Sequence, residues 1–225
     1  ALLKSKFSLR HDKIPLPQEL FGHSRRNSQG LDLSDEEALA PLKEKLLISP
    51  QEQAHPFIAG RLVSHATTQV FAPFDKNISI GHVSFANEKD LRDALESAHS
   101  AFEEWRDTPA PLRAACLFRV SDLMETDFIN LIHLCVYEGG KTIPDAVSEV
   151  REAIDFCRYY AVHGMKDFAK PVKLPGPTGE VNTLQFQGRG VFACISPWNF
   201  PLAIFTGQIV AALMASNTVL AKPAS

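Results

Sequence analysis

The sequence predicts an α/β protein in which a helical N-terminal body precedes the first β-α-β unit of an open parallel sheet. Three observations predict it. Apolar residues recur at helical spacing from residue 87 to residue 164. Two short β-type runs, "GVFACIS" from Gly190 and "NTVLAKP" from Asn217, then flank an almost wholly apolar stretch at residues 202–216. Strand, helix and strand that are apolar throughout fit a parallel unit covered on both faces, since the crossover helix must pack back onto its own sheet.

Taken in order, residues 1–50 differ from the rest. The prolines of "IPLPQELFG" favour an extended path. Ser34 with Glu37 fits a capping box that opens a short helix over residues 35–47, and Pro41 is expected to kink or restart it. The region reads as a connector packed on something larger, with Arg25-Arg26 a solvated loop pair rather than an anion site. Next come short β-like pieces, "PFIAGRLVS", "QVFAPFD" and "ISIGHVS", punctuated by Gly60, Pro73 and Gly81.

Asn87 is placed to cap the first long helix, whose Leu91, Ala94, Leu95, Ala98, Ala101, Phe102 and Trp105 share a face. A second helix opens near Pro111 with Leu112, Cys116, Val120 and Leu123 in its apolar pattern. The third, over residues 127–138, stops at Gly139-Gly140, where glycine supplies a left-handed stop. The fourth has Pro144 at its first turn and runs to Gly164 with Val147, Val150, Ile154, Cys157 and Ala161 on one side. After Gly164 the period changes, and residues 170–189, with a Pro-Gly-Pro-Thr-Gly turn region, read as a protruding β-hairpin.

Composition excludes several functions. Hydrophobic residues make up 45% and charged residues 22%, the balance of an ordinary globular protein. The net charge of −3 advertises no face for nucleic acid. No apolar run approaches the ~20 residues that cross a bilayer. The four cysteines form no C-x-x-C pair and read as buried, reduced thiols, and the eight histidines are scattered; no metal site is expected. Cytoplasm is the expected compartment.

Ligands bind α/β sheets at the C-terminal ends of parallel strands. Here the first strand ends in Ser196-Pro197-Trp198-Asn199-Phe200-Pro201 and the second in Lys222. Asn199 offers an amide donor on a turn stiffened by two prolines, which suits a developing oxyanion. Trp198 offers a flat apolar wall, and Lys222 a charged donor for a ribose diol or phosphate. The plain alternative is a proline-rich turn with a structural Asn and a strand-end Lys.

The stretch "GVFACISPWNFPLAIFTGQIVAALMASNTVLAKPAS" closely resembles the cofactor-binding start of aldehyde dehydrogenases, including a Lys 23 positions after Asn199. "YEGGKTIPDAVSEVREAIDFCRYYA" resembles the helices upstream of it in the same superfamily. "HDKIPLPQELFGHSRRNSQGLDLSDEEAL" looks like the connector of the bifunctional proline utilization A family, between its proline dehydrogenase barrel and its glutamate-semialdehyde dehydrogenase module. The resemblance implies a truncated aldehyde dehydrogenase-like α/β fold, with N-terminal helices and the first β-α-β of a Rossmann-like cofactor domain. Residues 1–50 would be the inter-module connector. Residues 51–225 would be the N-terminal part of the dehydrogenase module, with 170–189 an oligomerisation hairpin and 190–225 the start of the NAD-binding unit.

The same resemblance implies roles. Ile195, Ser196, Pro197 and Trp198 would line the nicotinamide-ribose and diphosphate side of NAD, and Lys222 would bind the adenosine ribose. Asn199 would donate to the oxyanion, Phe200 would face the aldehyde, and Glu138 would approach the substrate amino group. FAD would belong to the separate proline dehydrogenase barrel. The parent would be a homo-oligomer acting on a small aldehyde, with peripheral membrane association left open. The family usually carries Glu three residues after the Lys, where this chain has Ser225; a 2′-phosphate would then be repelled less. The family's nucleophilic thiol, general-base Glu and later glycine turn lie beyond the matching region, and the first residue is Ala rather than Met. An inactive fragment of a longer enzyme is therefore expected. A stand-alone aldehyde dehydrogenase of other specificity, or a non-catalytic scaffold piece, are the alternatives.

Overall fold

The computed structural model describes His11 and residues 13–224. A 3-10 turn at Pro17–Glu19 precedes α1 (Glu36–Leu46). β1 (Glu52–Ala54) follows, then the small hairpin of β2 (Phe57–Ile58) and β3 (Arg61–Leu62), then β4 (Thr67–Ala72) and β5 (Asp75–Ser84). Strand β5 pairs parallel with β1 and antiparallel with β4, giving the order β1-β5-β4. The helical body comprises α2 (Glu88–Ser100), α3 (Phe102–Asp107), α4 (Ala110–Thr126), α5 (Phe128–Tyr137) and α6 (Ile143–Phe168). The hairpin of β6 (Val172–Leu174) and β7 (Asn182–Leu184) is exposed along most of its length. Then come β8 (Val191–Ile195), α7 (Ala203–Met214) and β9 (Thr218–Lys222), with β8 and β9 parallel.

Helix ends follow local chemistry. The Asn87 side chain accepts from the Lys89 and Asp90 amides while Asp90 reaches back to the Asn87 amide. Thr142 caps α6 through the Asp145 amide, and Gly140 takes the left-handed conformation, φ 63°, that ends the α5 turn. At α1 the cap is Asp35, one residue later than the expected Ser34: its carboxylate accepts from the Glu37 and Ala38 amides. The Ser34 hydroxyl is instead engaged by Asp32. Helix α1 runs through Pro41 without interruption.

The core sits on α6. One cluster joins Leu42, Ile132, Cys135, Val147, Val150 and Ile154; a second joins Ala110, Ala114, Leu117, Cys157, Ala161, Val210 and Met214. The second corrects the expected face of α4. Leu112, Val120 and Leu123 are exposed, as is Cys116, and the buried face is Ala110, Arg113, Ala114, Leu117 and Ser121. Small residues bring α4 close to α6, while the two polar members find partners: Ser121 accepts from Arg158, and Arg113 donates to Met214 O.

Two other expectations change. Helix α6 continues past Gly164 to Phe168, and that glycine faces Met214 of α7, whose side chain leaves no room for a Cβ there. The glycine marks a helix–helix approach, not a stop. Strands β8 and β9 are also less buried than apolar runs imply: Phe192 is 43% and Ile195 67% exposed. Helix α7 covers one face, and the other opens on a cleft toward α2, where Leu91 is exposed as well.

Candidate active site

Strands β8 and β9 run side by side with Ile195 opposite Lys222. The Ser196 amide donates to Lys222 O at 3.1 Å, carrying the ladder one step past the strand end. The opposite ends are tied by Asn217, whose Oδ1 accepts from the Arg189 and Gly190 amides at 2.6 and 3.2 Å. Its Nδ2 donates to Ala212 O and Ala215 O. The register therefore brings Lys222 and the 196–200 turn to one edge. Ile195 and Lys222 also line the cleft beside α2, about 790 Å³ in volume, together with Leu91, Ala94, Ala98 and Leu213. That volume lies within the range of small-molecule sites.

On the turn, Ser196 is buried, Pro197 half-buried, and Trp198, Asn199 and Phe200 exposed, with Trp198 at 77%. Helix α7 starts directly after it, with Leu202 at the N-cap position and no capping side chain of its own. The missing acceptor comes from α6. Glu149, fully buried, accepts from the Leu202 and Ala203 amides through Oε1 at 2.8 and 3.1 Å. Its other oxygen pairs with Lys141 Nζ at 2.6 Å. That ammonium lies 4.4 Å from the centroid of the Phe200 ring, within cation–π range. A carboxylate out of water needs such partners: two amides at a helix N-terminus, where the macrodipole favours an anion, and one cation.

Neither Glu149 nor Lys141 is singled out by the sequence reading. A signal for Glu149 exists, because it falls within the apolar stripe of Ala146, Val150 and Ala153, where a carboxylate has no place unless something meets it. Lys141 has no local signal; its partners lie 8 and 59 positions away along the chain.

Glu138 ends α5 and is exposed, yet the protein around it and the neighbouring Glu52 carboxylate raise its pKa above the usual carboxylate range. Through Lys141 the α5–α6 turn that carries Glu138 meets the turn that carries Phe200. Ser225 lies outside the described residues. Burial raises the Cys194 thiol pKa, and pushes Cys135 to about 12 and Cys157 to about 11, so these three are held as thiols. Among the described residues no group of three or more His, Cys, Asp or Glu side chains is arranged to hold a metal. No helix among them is long and apolar enough to cross a membrane.

The profile of the aldehyde dehydrogenase family matches residues 62–225, which include the proline-framed Asn199 turn after β8 and Lys222 at the end of β9. The chain belongs to that family. Over 96% of its length it is 45% identical to bifunctional protein PutA of Escherichia coli, of which it spans 16%. It is 32% identical over 88% of its length to 1-pyrroline-5-carboxylate dehydrogenase of Staphylococcus aureus, of which it spans 39%. Among solved structures, a variant of Bradyrhizobium japonicum proline utilization A superposes over 95% of this chain and 19% of its own, with TM-score 0.76 and 42% identity. The family match and the solved relatives support the aldehyde dehydrogenase-like α/β fold that the sequence predicts.

Proposed function

We propose that this chain forms the opening part of the NAD-binding edge, and the oxyanion-stabilising arm, of an enzyme that oxidises glutamate γ-semialdehyde to glutamate in proline catabolism. The observation that carries the reading is the β8–β9 register, which sets Lys222 beside the turn bearing Asn199 at the open edge of the sheet. Relatives named bifunctional protein PutA and 1-pyrroline-5-carboxylate dehydrogenase favour this substrate over other aldehydes.

The residues present fit a dinucleotide. Exposed Ile195 and Trp198 give it apolar walls, Ser196 and Pro197 shape the floor between them, and Lys222 gives a donor for ribose hydroxyls. NAD, when bound, supplies the hydride acceptor. The protein's part is to hold charge and orientation. Asn199 Nδ2 donates to the carbonyl oxygen as it becomes an oxyanion, Phe200 packs against the aldehyde chain, and Glu138 meets the substrate amino group. The raised pKa values of Cys135, Cys157 and Cys194 make them unsuitable as the attacking thiolate. FAD has its place in a separate proline dehydrogenase module of such a bifunctional protein, residues 1–50 serve as its connector, and the exposed β6–β7 edge serves assembly with further copies.

The test is Asn199→Ala in the intact enzyme. An oxyanion donor acts more in the transition state than in the ground state, so kcat should fall by about 10²–10³ with little change in the KM for NAD. An unchanged kcat with a raised NAD KM would remove Asn199 from the oxyanion site.

A further inference from the structure

We infer that Glu149 is a positioning residue for Asn199, acting with Lys141 and Phe200 as a clamp on the base of the 197–201 turn. The inference rests on the oxyanion reading of Asn199 given above.

The turn is an arch with two feet. One is Ser196, fixed by its amide to Lys222 O. The other is the first turn of α7, which has no capping side chain of its own and depends on Glu149 for the Leu202 and Ala203 amides. Asn199 stands three residues before Leu202, so freedom at that foot passes directly into the amide that meets the oxyanion. The clamp also reaches the arch itself, since Lys141 is held between the Glu149 carboxylate and the Phe200 ring. Both Lys141 and Glu149 are withdrawn from solvent, at 12% and 0% side-chain exposure. Glu149 issues from α6, the helix that contributes to both apolar clusters, so the foot is referred to the centre of the core. A small misplacement of a donor costs rate rather than ground-state binding.

The test pairs amide exchange with kinetics in the intact enzyme. In Glu149→Ala, exchange at Leu202 and Ala203 should rise while the centre of α6 stays protected. Its kcat should fall by about 10- to 100-fold, with the KM for NAD changing less than about threefold. Glu149→Gln keeps the volume and one acceptor oxygen, so it should fold where Ala does not. It should lie between wild type and Ala in both readings. Because the clamp works through Asn199, Glu149→Ala should add little in an Asn199→Ala background, whereas a merely structural loss would add in full. Unchanged exchange at Leu202 and Ala203 in both Glu149 variants would overturn the clamp. So would a kcat effect that persists undiminished without Asn199. Failure of the underlying reading looks different: Asn199→Ala itself would then leave kcat intact.

Discussion

Lys222 illustrates how much one side chain at a strand end can be asked to do. It is exposed, it closes β9, and its neighbour across the ladder is Ile195, whose side chain opens on the same cleft. A hydrogen bond from a charged donor is worth about 1.5–3 kcal/mol. Lys222→Ala should therefore weaken NAD about ten- to a hundredfold by calorimetric titration of the intact enzyme, with little effect on the fold because the residue is exposed. Equal affinity in the variant would place the ribose elsewhere. The placement of Lys222 and the Asn199 turn at one sheet edge was legible in the sequence because strand, turn and helix succeed one another locally and the prolines advertise the turn. Glu149 was not, because its meaning depends on amides 53 and 54 positions further along the chain. Local rules also misplaced the α1 cap by one residue, since Ser34 and Asp35 are equally good caps and only the fold shows that Ser34 is taken by Asp32.

Among the elements, α7 is almost entirely apolar and borrows polar partners at both ends. Glu149 serves its N-terminus; at the other end Trp105 Nε1 donates to Leu213 O at 2.9 Å and Arg113 Nε to Met214 O at 3.2 Å. A buried guanidinium beside the last carbonyls complements the helix dipole. The existence of the long helices was readable from their period; the α4 face was not, because close packing selects Ala110 and Ala114 over larger apolar residues, and hydrophobicity alone does not report closeness. Gly164 is the sharpest case. In a helix interior Gly→Ala ordinarily stabilises by up to ~1 kcal/mol. Here the new methyl would meet Met214, itself 2% exposed, in a core with no room to retreat. Overpacking typically costs about 1–3 kcal/mol, so it should win. Gly164→Ala is expected to lower the denaturation midpoint, and a higher midpoint would show that α6 and α7 are not in that close contact.

At the scale of the whole molecule, residues 28–48 are held to the helical body by polar groups that α4, α5 and α6 turn toward them. Asp155 accepts from the Ser28 amide and hydroxyl at 2.7 and 2.8 Å, and Glu125 accepts from the Gln29 amide while pairing with Arg158 at 2.7 Å. His133 Nε2 meets Ile48 O at 2.8 Å and Tyr137 OH donates to Leu46 O at 2.8 Å, with Leu42 of α1 fully buried between. This seam was foreseen only as a region packed on something larger, since none of its partners is near it in sequence. It carries a pH dependence. Burial holds the His133 pKa below the ordinary value of 6.5; its bond to Ile48 O and Glu52 oppose the shift, and Lys45 adds to it. A base whose folded pKa lies below its unfolded one takes up a proton on unfolding, so its contribution is intact above pH 6.5 and is lost as the pH falls from there toward the folded pKa. Protonation would put a second N–H on a ring whose other nitrogen is already committed to Ile48. The denaturant midpoint of the chain should therefore drop between pH 7.5 and pH 5.5, before most carboxylates titrate. His133→Gln retains a donor for Ile48 O without a titrating ring, so its midpoint should be lower at pH 7.5 through lost packing but flatter across the same interval. An equally steep drop in that variant would move the pH dependence away from this seam.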